Sequence, residues 1–328
     1  MSSGFTWHGG RLAEARALFG AAENAWIDLS TGINPIGWPG APAAKVDWQT
    51  LPDPLALTEL EVTAAGYFGV DPAHCCAVPG SEIGLRLLAP ILDLPARYLT
   101  PTYRTHAEAF PQAQPIGALD QPPAEPSVLL LANPNNPDGR IVPPGQLQQW
   151  LGWMEASGGW LVVDEAFADA RPECSIASQI ADGRRLIVLR SLGKFFGLAG
   201  LRLGFVLAPR AVIAAYRQLV GEWPVSNAAL AFGRHAYRDT DWIAATQQAL
   251  PQRAKQLDAV LVGHGYVPVG DCPLFRLIEL PNAHALFTRL ARRAILTRPF
   301  SDYPRWLRLG LPADEKQLAR LDEALGDG

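Results

Sequence analysis

The sequence predicts an α/β fold: a mostly parallel central sheet flanked by helices, plus a smaller α+β domain built from both chain ends. Three observations predict it. Between about residues 75 and 208, short apolar runs recur, several followed by Gly, Pro or Asn turn chemistry. Helical patterns separate many of these runs, which is the alternation that βαβ units require. The flanking segments lack this rhythm and read as loops and helices, then a short α+β end. A short apolar run can also be a helix fragment, so the alternation carries the assignment rather than any single run. The large domain is expected over residues 45–210. The small domain, with an N-terminal arm, is expected over 1–44 and 211–328.

In chain order, a helix is expected near residues 11–19. The expected strands are Cys75–Val78, 98–99, Val128–Ala132, 160–163, 186–189 and 205–208. Residues 83–92 read as the helix after the first strand. Residues 114–126 hold Pro115, Pro122, Pro123 and Pro126 and read as a surface connection. Beyond Pro209, helical patterns run through residues 211–220 and 228–262.

Composition excludes several classes. The chain has 328 residues and 48 % are apolar, enough for a large core, so a disordered chain is ruled out. Charged residues make up 18 %, below the roughly 25 % usual in soluble domains, and some surface is expected to be buried against another subunit. The 30 Gly and 29 Pro follow no three-residue period, so they imply turns rather than collagen. A net charge of −4 offers no attraction for nucleic acid. The start carries no signal-peptide pattern, and no apolar run approaches the ~20 residues of a membrane span. Cys75, Cys76, Cys174 and Cys272 form no CxxC pair, so no metal is expected. The chain reads as a soluble, reduced, cytoplasmic protein.

In an open parallel sheet, ligands bind outside the carboxyl ends of the strands. After the first strand comes Pro79-Gly80-Ser81-Glu82, whose backbone N–H groups can favour an anion, although Ser and Glu there also suit an ordinary helix cap. After residues 98–99 comes Tyr103, able to stack on a planar ligand or to sit at the core rim. The next strand leads into Asn133-Pro134-Asn135-Asn136-Pro137-Asp138-Gly139, a fixed loop rich in amides. Asp164 ends an apolar strand, where an acid is costly to bury unless it meets a partner. Lys194 follows Ser191-Leu192-Gly193 and precedes a glycine-rich turn reaching Arg202. A lysine among apolar residues tends to lose its proton or take a covalent partner.

At Asn133 to Gly139, Asp164 to Phe167 and Ser191 to Arg202, the chain resembles fold-type I pyridoxal-5′-phosphate (PLP) enzymes of the aminotransferase superfamily, and the motif order covers essentially the whole chain. The resemblance implies PLP as cofactor. It implies that Lys194 forms a Schiff base with the PLP aldehyde, that Asp164 pairs with the ring nitrogen, and that Tyr103 stacks on the ring. Asn136 would bond the ring hydroxyl and border the substrate. Gly80, Ser81 and Glu82, with Ser191 and Arg202, would hold the cofactor phosphate. Arg308 matches the family's arginine for the substrate carboxylate.

Within that superfamily the chain is most similar to L-threonine-O-3-phosphate decarboxylases of cobalamin biosynthesis. The likeness lies in His8-Gly9-Gly10, in Asp28-Leu29-Ser30-Thr31-Gly32-Ile33-Asn34-Pro35, in Pro79 to Glu82 and in Asp164 to Phe167. It implies a carbon–carbon lyase and a homodimer acting on a small phosphorylated amino acid. His8, Asn34 and Arg298 would be the candidates for the substrate phosphate. The alternatives are a histidinol-phosphate-type aminotransferase and a non-catalytic PLP-binding protein. Three residues depart from common patterns of the superfamily: Phe167 where a tyrosine is usual, Leu51 where a tyrosine often reaches the neighbouring subunit's cofactor, and Gly193 where a serine often binds phosphate.

Overall fold

The computed structural model describes residues 4–20, 25–40 and 45–326. The chain divides into two compact units. The larger comprises Gly37–Asn136 and Arg140–Thr246; the smaller comprises Met1–Ile36, Pro137–Gly139 and Gln247–Gly328.

The smaller unit opens with α1 (Gly4–Trp7), α2 (Leu12–Phe19) and the two-residue strand β1 (Ile27–Asp28). The larger unit begins its regular structure with α3 (Pro54–Phe68). Asp53 caps that helix by accepting from the Leu55 amide at 2.8 Å, Pro54 suits its first turn, and Gly69 ends it at φ 71°. Next come β2 (Cys75–Val78), α4 (Ser81–Arg86), α5 (Leu88–Leu92), β3 (Ala96–Leu99), α6 (Thr105–Glu108) and β4 (Gln114–Ile116). They are followed by β5 (Val128–Ala132), α7 (Pro144–Ala156), β6 (Trp160–Asp164), β7 (Leu186–Ser191) and β8 (Gly204–Leu207), then α8 (Arg210–Val220) and α9 (Asn227–Arg238).

Strands β2 to β8 form one sheet in the order β2-β8-β7-β6-β5-β3-β4. Only β8 runs against the others, pairing antiparallel with both β7 and β2. The carboxyl ends of the remaining six therefore share one edge. The central strands are buried on both faces: Val128, Leu130, Leu161, Val162, Val163 and Val188 are wholly inaccessible. Each such side chain contributes roughly 1.5–3 kcal/mol by leaving water.

Helix α10 (Thr240–Gly263) contains the boundary between the units at residue 247. Beyond it lie β9 (Pro268–Val269), β10 (Phe275–Glu279), α11 (Ala283–Arg292), β11 (Ile295–Leu296), β12 (Arg298–Pro299), β13 (Trp306–Gly310) and α12 (Glu315–Gly326). The antiparallel sheet β12-β13-β10-β9 is the floor of the smaller unit, and β1 pairs in parallel with β11 to tie the N-terminal segment to it. Phe5 and Phe19 pack on Phe287 at 5.4 and 5.9 Å between ring centroids, fixing α1 and α2 against α11.

Three expectations about elements need correction. Residues 114–126 are not wholly a connection, because Gln114 to Ile116 pair with β3 as an edge strand, a position that tolerates Pro115. The helix expected over residues 83–92 is two helices. Pro90 has no amide to bond the Arg86 carbonyl, and the break falls at Leu87. The pattern over 228–262 is interrupted at Asp239, whose side chain accepts from the Trp242 amide at 3.2 Å and from Trp38 Nε1 at 2.9 Å. No helix among the described residues is long and apolar enough to cross a membrane.

Candidate active site

The shared strand edge of the larger unit gathers the residues expected there. Asp164 is the last residue of β6 and is 8 % exposed. One of its oxygens accepts from the Ala166 amide at 3.1 Å, and the other lies 3.4 Å from His106 Nε2. The wholly buried His106 is tied through Nδ1 to Thr102 Oγ1 at 2.7 Å. This Thr102–His106–Asp164 chain fixes the carboxylate. Sequence reading missed both His106 and Thr102. The available signal was their i, i+4 spacing beside Tyr103, which is too common a pattern to stand out alone. The Tyr103 ring meets His106 edge-on at 6.0 Å, and burial pushes the phenol pKa up.

Lys194 follows β7 in a turn and is half-buried, with Nζ 5.8 Å from the centre of the buried Phe167 ring. Ser191 ends β7 and is 8 % exposed. Between β2 and α4, Gly80 adopts φ 91°. A Cβ on it would stand 2.6 Å from Arg202 Nη2, and one on Gly204 would collide with the Ser81 amide. The two glycines therefore let the Gly80-Ser81-Glu82 backbone, β8 and the Arg202 guanidinium come together. The Glu82 carboxylate is engaged elsewhere, accepting from Arg86 at 3.1 Å.

The asparagines divide by role. Asn133 is wholly buried and bonds the Val142 amide, the Val142 carbonyl and the Cys174 carbonyl. Asn135 donates to the Pro101 carbonyl at 2.8 Å, linking its loop to the one before Tyr103. Both stiffen the loop that presents the half-buried Asn136.

Behind the edge, on the opposite face from Asp164, lies an ionic cluster that sequence reading also missed. Arg190 Nη1 donates to Glu165 Oε2 at 2.7 Å, and Nη2 is bonded to Asp169. Ser175 Oγ and the Ile176 amide complete the Glu165 carboxylate at 2.5 and 2.8 Å. Burial pushes the pKa of both acids up, and Arg190 pulls both back. Arg190 precedes Ser191 and Glu165 follows Asp164, so this pair pins the two strand ends that carry the candidate cofactor residues. An arginine inside an apolar strand gave no sequence cue to such partners.

The substrate candidates lie in the smaller unit. Arg298 on β12 and Arg308 on β13 are register partners, 9 % and 6 % exposed. Arg308 Nη2 donates to the Ser30 carbonyl at 2.9 Å, and its guanidinium lies 4.9 Å from the Phe275 ring centre. Asn34 is buried, and its Oδ1 accepts from the Ile36 amide at 3.1 Å. His8 is exposed at the end of the N-terminal arm, where the next amide but one, that of Gly10, donates to Ser30 Oγ at 2.8 Å. Two buried guanidinium groups therefore stand side by side on one face of this sheet. No group of side chains suited to a metal ion occurs among the described residues.

Comparison with known proteins adds to this geometry. Residues 111–325 match the family model for aminotransferase class I and II. A threonine-phosphate decarboxylase from a Sinorhizobium species is 40 % identical, covering 97 % of each chain. One from Pseudomonas aeruginosa is 41 % identical, covering 97 % of this chain and 96 % of the other. Among solved structures, the histidinol-phosphate aminotransferase of Sinorhizobium meliloti in complex with pyridoxal-5′-phosphate superposes with a TM-score of 0.81 at 19 % identity. It spans 96 % of this chain and 93 % of its own, a likeness of fold.

Proposed function

The chain belongs to the aminotransferase class I and II family, and from that premise we propose that it is a PLP-dependent lyase decarboxylating L-threonine O-3-phosphate to 1-amino-2-propanol O-2-phosphate. The observation that carries this reading is identity of 40 % or more, over nearly the full length of both chains, to two threonine-phosphate decarboxylases.

The larger unit fits the cofactor on its own geometry. Glycine at 80 and 204 lets the backbone amides after β2 approach β8 and the Arg202 guanidinium more closely than any Cβ would allow. Ser191 ends the neighbouring strand, and the fixed Asp164 carboxylate stands on the same sheet edge. Gly80, Ser81, Glu82, Ser191 and Arg202 would hold the cofactor phosphate, and Asn136 the ring hydroxyl. Tyr103 would cover the ring, Asp164 would keep the ring nitrogen protonated, and Lys194 would bind the aldehyde. Pyridoxal phosphate supplies there an aldehyde for the substrate amine and a ring that takes up the electron pair released at Cα.

The rest is done by side chains. Arg308 takes the substrate carboxylate in its planar fork, and Arg298, with Asn34 and His8, takes the phosphate. Arg308's grip orients Cα, and that orientation decides between loss of CO2 and loss of the Cα proton. When the carbon–carbon bond breaks and CO2 leaves, Lys194 Nζ delivers the proton that replaces the carboxyl group. The same reading makes the protein a cytoplasmic homodimer; Trp48, Leu51, Leu55 and Trp223 on the larger unit are at least half exposed and give it apolar surface to cover. Incubating the PLP-loaded protein with threonine phosphate tests the function: CO2 and the amino alcohol phosphate form together. Lys194→Ala forms neither and lacks the visible absorbance of the lysine-bound cofactor.

A further inference from the structure

We propose that Ser30 is a positioning residue that joins the His8-Gly9-Gly10 arm to Arg308, so that arm and guanidinium grip the substrate as one device. This rests on the reading above that His8 and Arg308 bind the substrate's anionic groups.

Ser30 lies two residues beyond β1 and is 2 % exposed. Its amide and its hydroxyl both donate to Asp28 Oδ1, at 2.9 and 2.5 Å, closing a tight turn. With its hydrogen committed to Asp28, Ser30 Oγ can only accept, and it accepts from the Gly10 amide at 2.8 Å. Its carbonyl accepts from Arg308 Nη2 at 2.9 Å. One buried residue thus holds the arm through its side chain and the guanidinium through its backbone.

The fit around it is exact enough to dictate neighbours. A Cβ on Gly9 would collide with the Ser30 carbonyl oxygen, the same atom that holds Arg308. Gly10 adopts φ 80°, which glycine takes without strain. Gly310, two residues beyond Arg308, has no room for a Cβ beside the Thr31 carbonyl. Both sequence glycines of the arm and the turn at Asp28 to Ser30 are therefore explained by one junction. A displacement of Arg308 toward a carboxylate is passed to the Ser30 carbonyl, and through that residue to the arm that carries His8.

The test is a mutant cycle in the PLP-loaded protein, with threonine phosphate as substrate. Ser30→Ala deletes both hydroxyl hydrogen bonds, to Asp28 and from Gly10, and is expected to raise KM about tenfold while kcat changes by less than about threefold. His8→Ala weakens the same device, so the double variant should match the worse single variant within about threefold rather than multiply the two effects. Hydrogen exchange at residues 8–10 should rise in Ser30→Ala, with the visible absorbance of the cofactor unchanged. An unchanged KM, multiplicative effects or unaltered exchange at the arm would each overturn the proposal. If Ser30→Ala does not fold, Ser30→Cys keeps the volume, weakens the bond and is judged by the same cycle. A wild-type protein that yields no CO2 refutes the functional reading instead, and exchange at residues 8–10 still decides whether Ser30 holds the arm.

Discussion

Arg298 and Arg308 stand directly opposite one another in the antiparallel pair β12–β13, each less than a tenth exposed. Like charges in that position oppose folding. Burial, together with the charge of Arg298, pushes the Arg308 pKa down to about 9. A cation whose folded pKa lies below its unfolded value is penalised wherever both states are charged. That penalty is complete below about pH 9 and is relieved only as pH climbs from there toward the unfolded value. Near neutrality Arg308 keeps its charge; the Asp28 charge and the Ser30 carbonyl offset part of the cost, and a bound anion would offset more.

Inorganic phosphate should therefore raise the melting temperature of the wild-type protein. In the PLP-loaded protein, whose cofactor phosphate site is filled, Arg298→Met should stabilise the phosphate-free form by about 1 kcal/mol, since replacing buried charge with apolar bulk is often favourable, and should weaken the response to phosphate. Thermal melts with and without phosphate check both arms.

The substrate's own titration gives a second expectation. A phosphate monoester loses its second proton near pH ~6, and a two-arginine surface favours the dianion. KM for threonine phosphate should fall as pH rises through that value. Arg298→Gln should flatten this dependence, which initial rates across pH 5 to 8, about the range where that proton is lost, will measure.

His106 should matter to the cofactor although no sequence signal marked it. His106→Leu removes the group 3.4 Å from Asp164 Oδ2 and leaves Thr102 Oγ1 without its 2.7 Å partner. PLP affinity should drop about tenfold or more, in keeping with the loss of an interaction that fixes a ligand group. Equilibrium dialysis against PLP checks this, and Thr102→Val should give a smaller loss in the same direction.

Gly193 accounts for one departure from the superfamily. A Cβ there would stand 2.9 Å from the Ala199 Cα, a backbone atom that cannot step aside alone. Gly193→Ser should thus lower stability by about 1–3 kcal/mol, as overpacking does, and should not strengthen PLP binding. Denaturant melts and PLP titration read the two effects separately.

The strands were legible where both faces are buried. Val128 to Ala132 and Cys75 to Val78 coincide with the expected runs, because a strand covered on both sides is apolar throughout. Strand direction was not legible: the run through Phe205 looks like its neighbours, and only pairing reveals that β8 is reversed. The strand-end residues Asp164, Ser191 and Lys194 could be read because an ionisable or polar residue stands out at the close of an apolar run. Ser30, His106 and Arg190 could not, since each also acts through a partner 25 or more residues away, Arg308, Asp164 and Glu165 respectively, which the local chain does not encode.

Decarboxylation and amino transfer from the same substrate leave different products. The PLP-loaded protein is given threonine phosphate together with 2-oxoglutarate, and CO2 and glutamate are quantified in the same vessel. CO2 matching the amino alcohol phosphate mole for mole, with no glutamate formed, is the predicted result. Glutamate accumulating without CO2 would contradict it.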